Sequence, residues 1–214
     1  PKLQLVCTGL ALRKQLQAGL LREGIRRTAC TRRGAKDLGA PAGGGATRRV
    51  GAFTARMRNT RGRAGRTGQL ARTRPKAARL FNTGGRPAAA YGGPVMGVAP
   101  ASRKEMRRLA AKASGIRASG RCATTAIALR LGWYNDPDIK LLTDQVAQWL
   151  QLWFEAAWVR QQAARVWGDV LQSLGAARRR WSRVFGPLSA TLASLLDAGW
   201  RPEEPTRWRD PTGD

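Results

Sequence analysis

Apolar residues recur at helical spacing along most of this chain, separated by runs rich in glycine and arginine. Over residues 10–23, Leu10, Leu12, Leu16 and Leu20 fall near one face and Arg13, Lys14 and Arg22 elsewhere, which predicts an amphipathic helix ending near Gly24. Residues 24–31 and 35–40 suit short strands, and the glycine-rich 41–47 suits a flexible turn. Thr47 can cap a second helix in which Val50, Phe53 and Met57 recur at i, i+3 and i+7. Gly62, Gly65 and Gly68 follow; at roughly 1 kcal/mol each relative to Ala, they predict fraying of its basic tail. A further helix is expected from Pro75 to Asn82, closed by Gly84-Gly85, with an extended or broken connection over 86–97.

Two local signals are sharper. Ser102-Arg103-Lys104-Glu105 matches a capping box, in which hydroxyl and carboxylate each bond the other residue's amide. It predicts a helix over 103–114 with Met106, Leu109 and Ala113 inward and Gly115 at its end. Asp136-Pro137-Asp138 resembles a carboxylate pair for acid–base or metal work. Position favours helix initiation instead: Asp136 as cap, Pro137 at the first helical position and Asp138 at the positive end of the dipole. The helix that follows, over 138–166, places Leu142, Val146, Trp149, Trp153, Ala157 and Ala164 along one stripe. One more apolar helix is expected over 188–198, before a polar tail containing Pro202, Pro205 and Pro211. The fold class is mainly α with a small β contribution at the N-terminus.

Charge divides the chain more sharply than hydropathy does. Residues 1–130 hold 29 Lys and Arg against Glu23, Asp37 and Glu105, whereas residues 131–214 hold ten of each sign, so the net charge of +26 lies wholly in the first part. All eight Trp follow residue 130. Their helical spacing indicates core or subunit contacts, with stacking on single-stranded bases as the alternative. Three regions follow: 1–46, a basic helical 47–120 and a Trp-rich helical 121–214. The cations most exposed to a polyanion are those crowding the second helix, Arg48, Arg49, Arg56, Arg58, Arg61, Arg63 and Arg66, and a ridge on the capped helix, Arg103, Lys104, Arg107, Arg108 and Lys112. Arg178-Arg179-Arg180 suits a solvated run. Such cations neutralise phosphates, which carry no sequence information.

Several chemistries are excluded. With no His, imidazole cannot serve as base, metal ligand or proton shuttle. Cys7, Cys30 and Cys122 are odd in number and lack C-x-x-C spacing, which argues against a disulfide framework or a thiolate zinc site. No Gly-Lys dipeptide occurs, so the glycine-rich turn is no phosphate-binding P-loop. No apolar run is long enough to span a membrane and no signal pattern opens the chain, which predicts a soluble intracellular protein, nuclear or cytoplasmic, without membrane contact. Pro1 in place of Met suits a piece of something longer.

Three blocks then occur in a telling order: Lys36-Asp37-Leu38-Gly39; Arg79 to Pro87 with Tyr91-Gly92; and Ser102 to Gly115. This order resembles that downstream of the catalytic core in reverse transcriptases of non-long-terminal-repeat (LINE-type) retrotransposons, over about residues 1–115. The resemblance implies that the first block closes the palm, the next two form a helical thumb, and the chain from Arg121 is the connection beyond it. It implies further that the chain grips RNA and/or DNA template–primer backbone, with the missing upstream palm as its partner. The family's catalytic aromatic-x-Asp-Asp turn is absent, since no Asp-Asp dipeptide occurs here. No cofactor is therefore expected in this chain, and Mg²⁺ only at the missing upstream site. Phe81 stands where the family often has Tyr, and the thumb glycines suggest a weakened copy. The same composition also fits a basic RNA-associated structural protein such as a ribosomal component, or a non-functional reading frame drifting with GC-rich coding.

Overall fold

The computed structural model of the chain describes residues 3–6, 10–25, 28–31, 35–37, 40–42, 48 and 50–213, and is mainly helical with small β contributions. The chain divides into two compact units, residues 1–52 and 53–214. In the first unit, β1 (Leu3–Val6) and β2 (Thr28–Thr31) pair in parallel, with Leu3 opposite Thr28, and α1 (Leu10–Arg22) is the crossover that parallel neighbours require. α1 ends where expected: Gly24 adopts φ +78° and the Ile25 amide donates to the Leu20 carbonyl at 2.9 Å. Within its leucine stripe, Leu12 and Leu16 are exposed and Leu20 is half-buried. β3 (Ala35–Asp37) and β4 (Ala40–Ala42) form a hairpin with Ala35 opposite Ala42. The expected strands are thus present in shortened form, β1 is an addition, and β4 takes Pro41 and Ala42 from the expected flexible turn into a pairing with β3. The Thr47 cap lies outside the described residues.

α2 (Gly51–Thr73) runs unbroken through its glycines, and the expected fraying does not occur. It buries Met57, Thr60, Ala64, Gly68 and Ala71, three or four residues apart, on a narrow stripe of mostly small side chains. Small residues permit close approach to α5 (Pro100–Ala113). A Cβ on Gly68 would lie 2.3 Å from the Lys112 carbonyl oxygen, so this glycine is required by packing. Arg61 meets Glu105, Gly68 meets Lys112 and Ala71 meets Gly115, an advance in the same direction that makes α2 and α5 a parallel pair.

Between these helices, Gly84-Gly85 does not end a helix. A 3₁₀ turn over Pro75–Arg79 passes into a π-helical turn over Phe81–Gly85, then α3 (Arg86–Ala90) and α4 (Gly93–Met96). Phe81 is buried, and Gly85 lets its ring lie against the backbone, since a Cβ there would come within 2.9 Å of it. The expected extended connection over 86–97 is therefore largely helical. α5 begins at Pro100 rather than at 103, because Pro100 sits at the first helical position behind Ala99, whose carbonyl accepts from the amides of Ser102 and Arg103. The capping box does not form. No side chain caps this helix, and Glu105 is drawn instead to Arg61.

Beyond residue 120, α6 (Ala123–Leu131) packs Ile127 and Leu131 into the same core as Met57, Ala64, Phe81, Met106 and Leu109. α7 (Pro137–Glu155) starts as expected, with the Asp136 carboxylate accepting from the Asp138 amide at 3.0 Å. The single helix expected over 138–166 is two, because Ala156 is extended and α8 (Ala157–Ala176) turns back. Arg160 stabilises the break by donating to the carbonyls of Trp153 and Phe154 at 3.2 Å. The reversal stacks Trp167 on Trp149, with ring centroids 5.9 Å apart, at the centre of a second core completed by α9 (Pro187–Asp197). Ala157 and Ala164 of the expected stripe are exposed, and Ala163 is buried in their place. The polar tail forms a short hairpin, β5 (Arg201–Pro202) with β6 (Trp208–Arg209), and the Trp149 indole donates to the Pro205 carbonyl at 2.8 Å.

Candidate nucleic-acid interface

α2 and α5 position ten of the twelve candidate cations, and the packing of each helix decides which of them face water. On α2 the buried stripe turns Arg58, Arg63 and Arg66 outward, exposed and without an ion pair among the described residues. Arg61 is exposed and pairs with Glu105 at 3.0 Å. Arg56 is spent on the fold: its guanidinium lies 5.2 Å from the Tyr91 ring centroid and donates to the Tyr91 carbonyl at 2.6 Å. In the first unit, Arg48 is partly buried, and desolvation pushes its guanidinium down to about 10, which leaves it charged at neutral pH. Arg49 lies outside the described residues.

The ridge expected on α5 is divided. Lys104, Arg108 and Lys112, four residues apart, form an exposed stripe in which, among the described residues, Arg108 alone has an ion pair, with Glu105 at 3.7 Å. Arg103 and Arg107 do not belong to it. Arg103 is buried, donating to Asp138 at 3.0 Å and to the Val98 carbonyl at 3.2 Å. Arg107 donates to Asp136 at 2.7 Å and to the Thr124 hydroxyl at 2.7 Å. These two arginines fasten α5 to the start of α7 through Asp136, its cap, and Asp138 in its first turn, two carboxylates that also offset the positive end of the helix dipole. Helical spacing alone could not reveal this, because both acceptors lie about thirty residues away on another helix.

Four cations that the sequence reading passed over extend the α2 face: Arg72, Arg74, Lys76 and Arg79 are exposed and without an ion pair among the described residues. Their only sequence signal is continued basic charge beyond the glycines. At the same end, Arg63, Arg66 and Thr67 of α2 line a cleft of about 210 Å³ with Leu80, Phe81, Gly84 and Gly85. The space around Gly84 is open, so a ligand can approach the backbone there between two guanidinium-bearing side chains. Carboxylates are engaged elsewhere. Asp144, Asp197, Glu203 and Glu204 pair with Lys140, Arg180, Arg207 and Arg209 within the Trp-rich half. Arg180 thus departs from the solvated run expected for it, while Arg178 and Arg179 are exposed.

Among the described residues, no three Cys, Asp or Glu side chains cluster as a metal site would require, and no helix is long and apolar enough to cross a membrane. No protein-family model, curated protein or solved structure matches this chain.

Proposed function

We propose that this chain grips nucleic acid by its backbone, as the thumb-and-connection part of a retrotransposon RNA-directed DNA polymerase. One observation carries the reading: the parallel pair α2 and α5 presents Arg58, Arg63, Arg66, Arg72, Lys104, Arg108 and Lys112 to solvent, with Glu105 as the acid beside them. A polyanion laid along this pair exchanges its condensed counterions for fixed cations and releases them to solution, a contact with phosphates that carries no sequence information. The polymerase assignment rests on the block order in residues 1–115. The donor set here does not fit two catalytic Mg²⁺ ions, since an Asp-Asp pair is lacking, and no catalytic step is assigned to this chain.

Titration of the purified chain with a 20-base-pair DNA duplex and an RNA–DNA hybrid of unrelated sequence tests the binding. About six phosphate contacts give a log–log salt slope near −5, and affinity falls about 10³-fold between 50 and 200 mM salt for both probes. A flat salt response refutes the backbone grip. Templated nucleotide incorporation by the chain alone, abolished by removing Mg²⁺, would refute the assignment of catalysis to a missing partner.

A further inference from the structure

We propose that Trp133 and Tyr134 form a stacking platform for an unpaired base, so that this chain prefers a duplex bearing a single-stranded overhang to a blunt one. The inference rests on the backbone grip and adds the class of nucleic acid. Trp149 and Trp167 lie within the second core, 1% and 6% exposed, with Trp153, Trp181 and Trp208 packed on it partly buried, while Trp158 on α8 is 66% exposed. Trp133 and Tyr134 are 68% and 60% exposed on a 3₁₀ turn joining α6 to α7. Their rings are edge to face, with centroids 6.2 Å apart at 87°, so they present two perpendicular faces. Every base has a face that can lie on an aromatic ring, which makes such contacts tolerant of sequence.

The turn is held in place rather than left free. Gly132 enters it at φ +88°, and the Leu131 carbonyl accepts from Asn135 at 2.7 Å and Asn82 at 3.3 Å. Arg86 donates to the Asn135 side chain at 3.2 Å, and the Asp136 amide to the Trp133 carbonyl at 3.1 Å. The backbone that carries the two rings is thus already ordered, which lowers what must be fixed when a base arrives.

Charge identifies the occupant. Asn82 and Arg86, which hold the turn, flank Gly84 and Gly85 of the cleft shared with Arg63 and Arg66. α6, on which the aromatic turn packs, also packs on the 3₁₀ turn that carries Lys76 and Arg79. The aromatic turn is thus tied to the segment that lines the cleft with Arg63 and Arg66, and α6 joins it to the turn of Lys76 and Arg79, four exposed cations without an ion pair among the described residues. An apolar protein partner has no use for those cations, whereas a strand leaving a duplex uses both.

The test compares a blunt 20-base-pair DNA duplex with the same duplex extended by four unpaired nucleotides, 2-aminopurine being the first. The overhang raises affinity about 5- to 150-fold, the range given by stacking one base on an aromatic ring, and the 2-aminopurine fluorescence is quenched. Trp133→Ala with Tyr134→Ala abolishes both effects, while affinity for the blunt duplex and its salt slope stay within twofold and the melting temperature holds. Trp133→Phe restores part of the preference. Steep salt dependence with equal affinity for the two probes and no quenching overturns this inference alone and leaves the surface to a protein partner. Salt-independent binding of both probes overturns the backbone grip and this inference with it.

Discussion

Replacing Lys104, Arg108 and Lys112 by Gln together, and Arg103 and Arg107 by Gln singly, separates cations that face solvent from cations that hold the fold. All three residues of the first set are exposed, and among the described residues their one ion pair is the 3.7 Å approach of Arg108 to Glu105. Surface pairs of that kind contribute about 0–1 kcal/mol, and Gln keeps helix propensity, so the triple variant unfolds within about 1 kcal/mol of the parent. If all three contact phosphate, its salt slope falls by about 2.7, at 0.9 per contact. The second set behaves oppositely. The Arg103 side chain is 7% exposed, and its removal leaves the Val98 carbonyl without this donor and Asp138 without its ion pair. The Asp136 side chain, 6% exposed, loses the guanidinium of Arg107 at 2.7 Å. Breaking a buried pair costs about 3–5 kcal/mol. Because Asp138 is 41% and Arg107 32% exposed, a discounted loss of about 2 kcal/mol for each variant is appropriate. In a chain of this size that lowers the melting temperature by about 4–8 °C. Duplex titrations between 50 and 200 mM salt, with thermal melts of the same preparations, measure both quantities. The reasoning is refuted if Arg103→Gln and Arg107→Gln flatten the salt slope as much per residue as the triple variant while melting at the parental temperature.

Other consequences follow from the packing. Gly62→Ala stabilises α2 by up to about 1 kcal/mol, because its Cβ meets only the flexible end of Arg66, whereas Gly68→Ala destabilises by about 1–3 kcal/mol by forcing α2 off the Lys112 carbonyl; urea melts give the two signs. Trp149→Ala removes the centre of the second core and costs about 3–5 kcal/mol, read as a lower urea midpoint. The Cys122 thiol, at the start of α6, is lowered to about 7 by the Thr125 amide and then by the Thr125 hydroxyl and the Thr124 amide. Because only the thiolate alkylates, iodoacetamide labelling of Cys122, followed by peptide mass spectrometry, rises through a midpoint near pH 7 in the native chain and at higher pH in denaturant; an unchanged midpoint on unfolding refutes this.

Where a structural signal is local, residues next to one another in the sequence carried it. Asp136-Pro137-Asp138 starts α7 because a carboxylate, a fixed φ and the dipole act within one turn. Gly24 ends α1 for the same kind of reason, a left-handed position that glycine fills without strain. The division of charge at residue 130, the absence of imidazole chemistry and the mainly helical class are likewise properties of composition and period.

What neighbours do to a residue was decided only by tertiary structure. The period of α5 marks Arg103, Lys104, Arg107, Arg108 and Lys112 as polar positions, yet it cannot say that Asp136 and Asp138 stand opposite two of them. The capping box was sound local chemistry that lost to Pro100 upstream and to Arg61 across the helix pair. Three glycines that weaken an isolated helix persist in α2 because packing against α5 stabilises it, and because one of them lies where no Cβ fits. Helical spacing placed Trp149 in a core, and only the reversal at Ala156 brought Trp167 onto it while Trp133 stayed in water. Local sequence fixes what a segment prefers within a few residues; burial and pairing depend on groups about thirty to fifty residues away, whose positions exist only once the chain has folded.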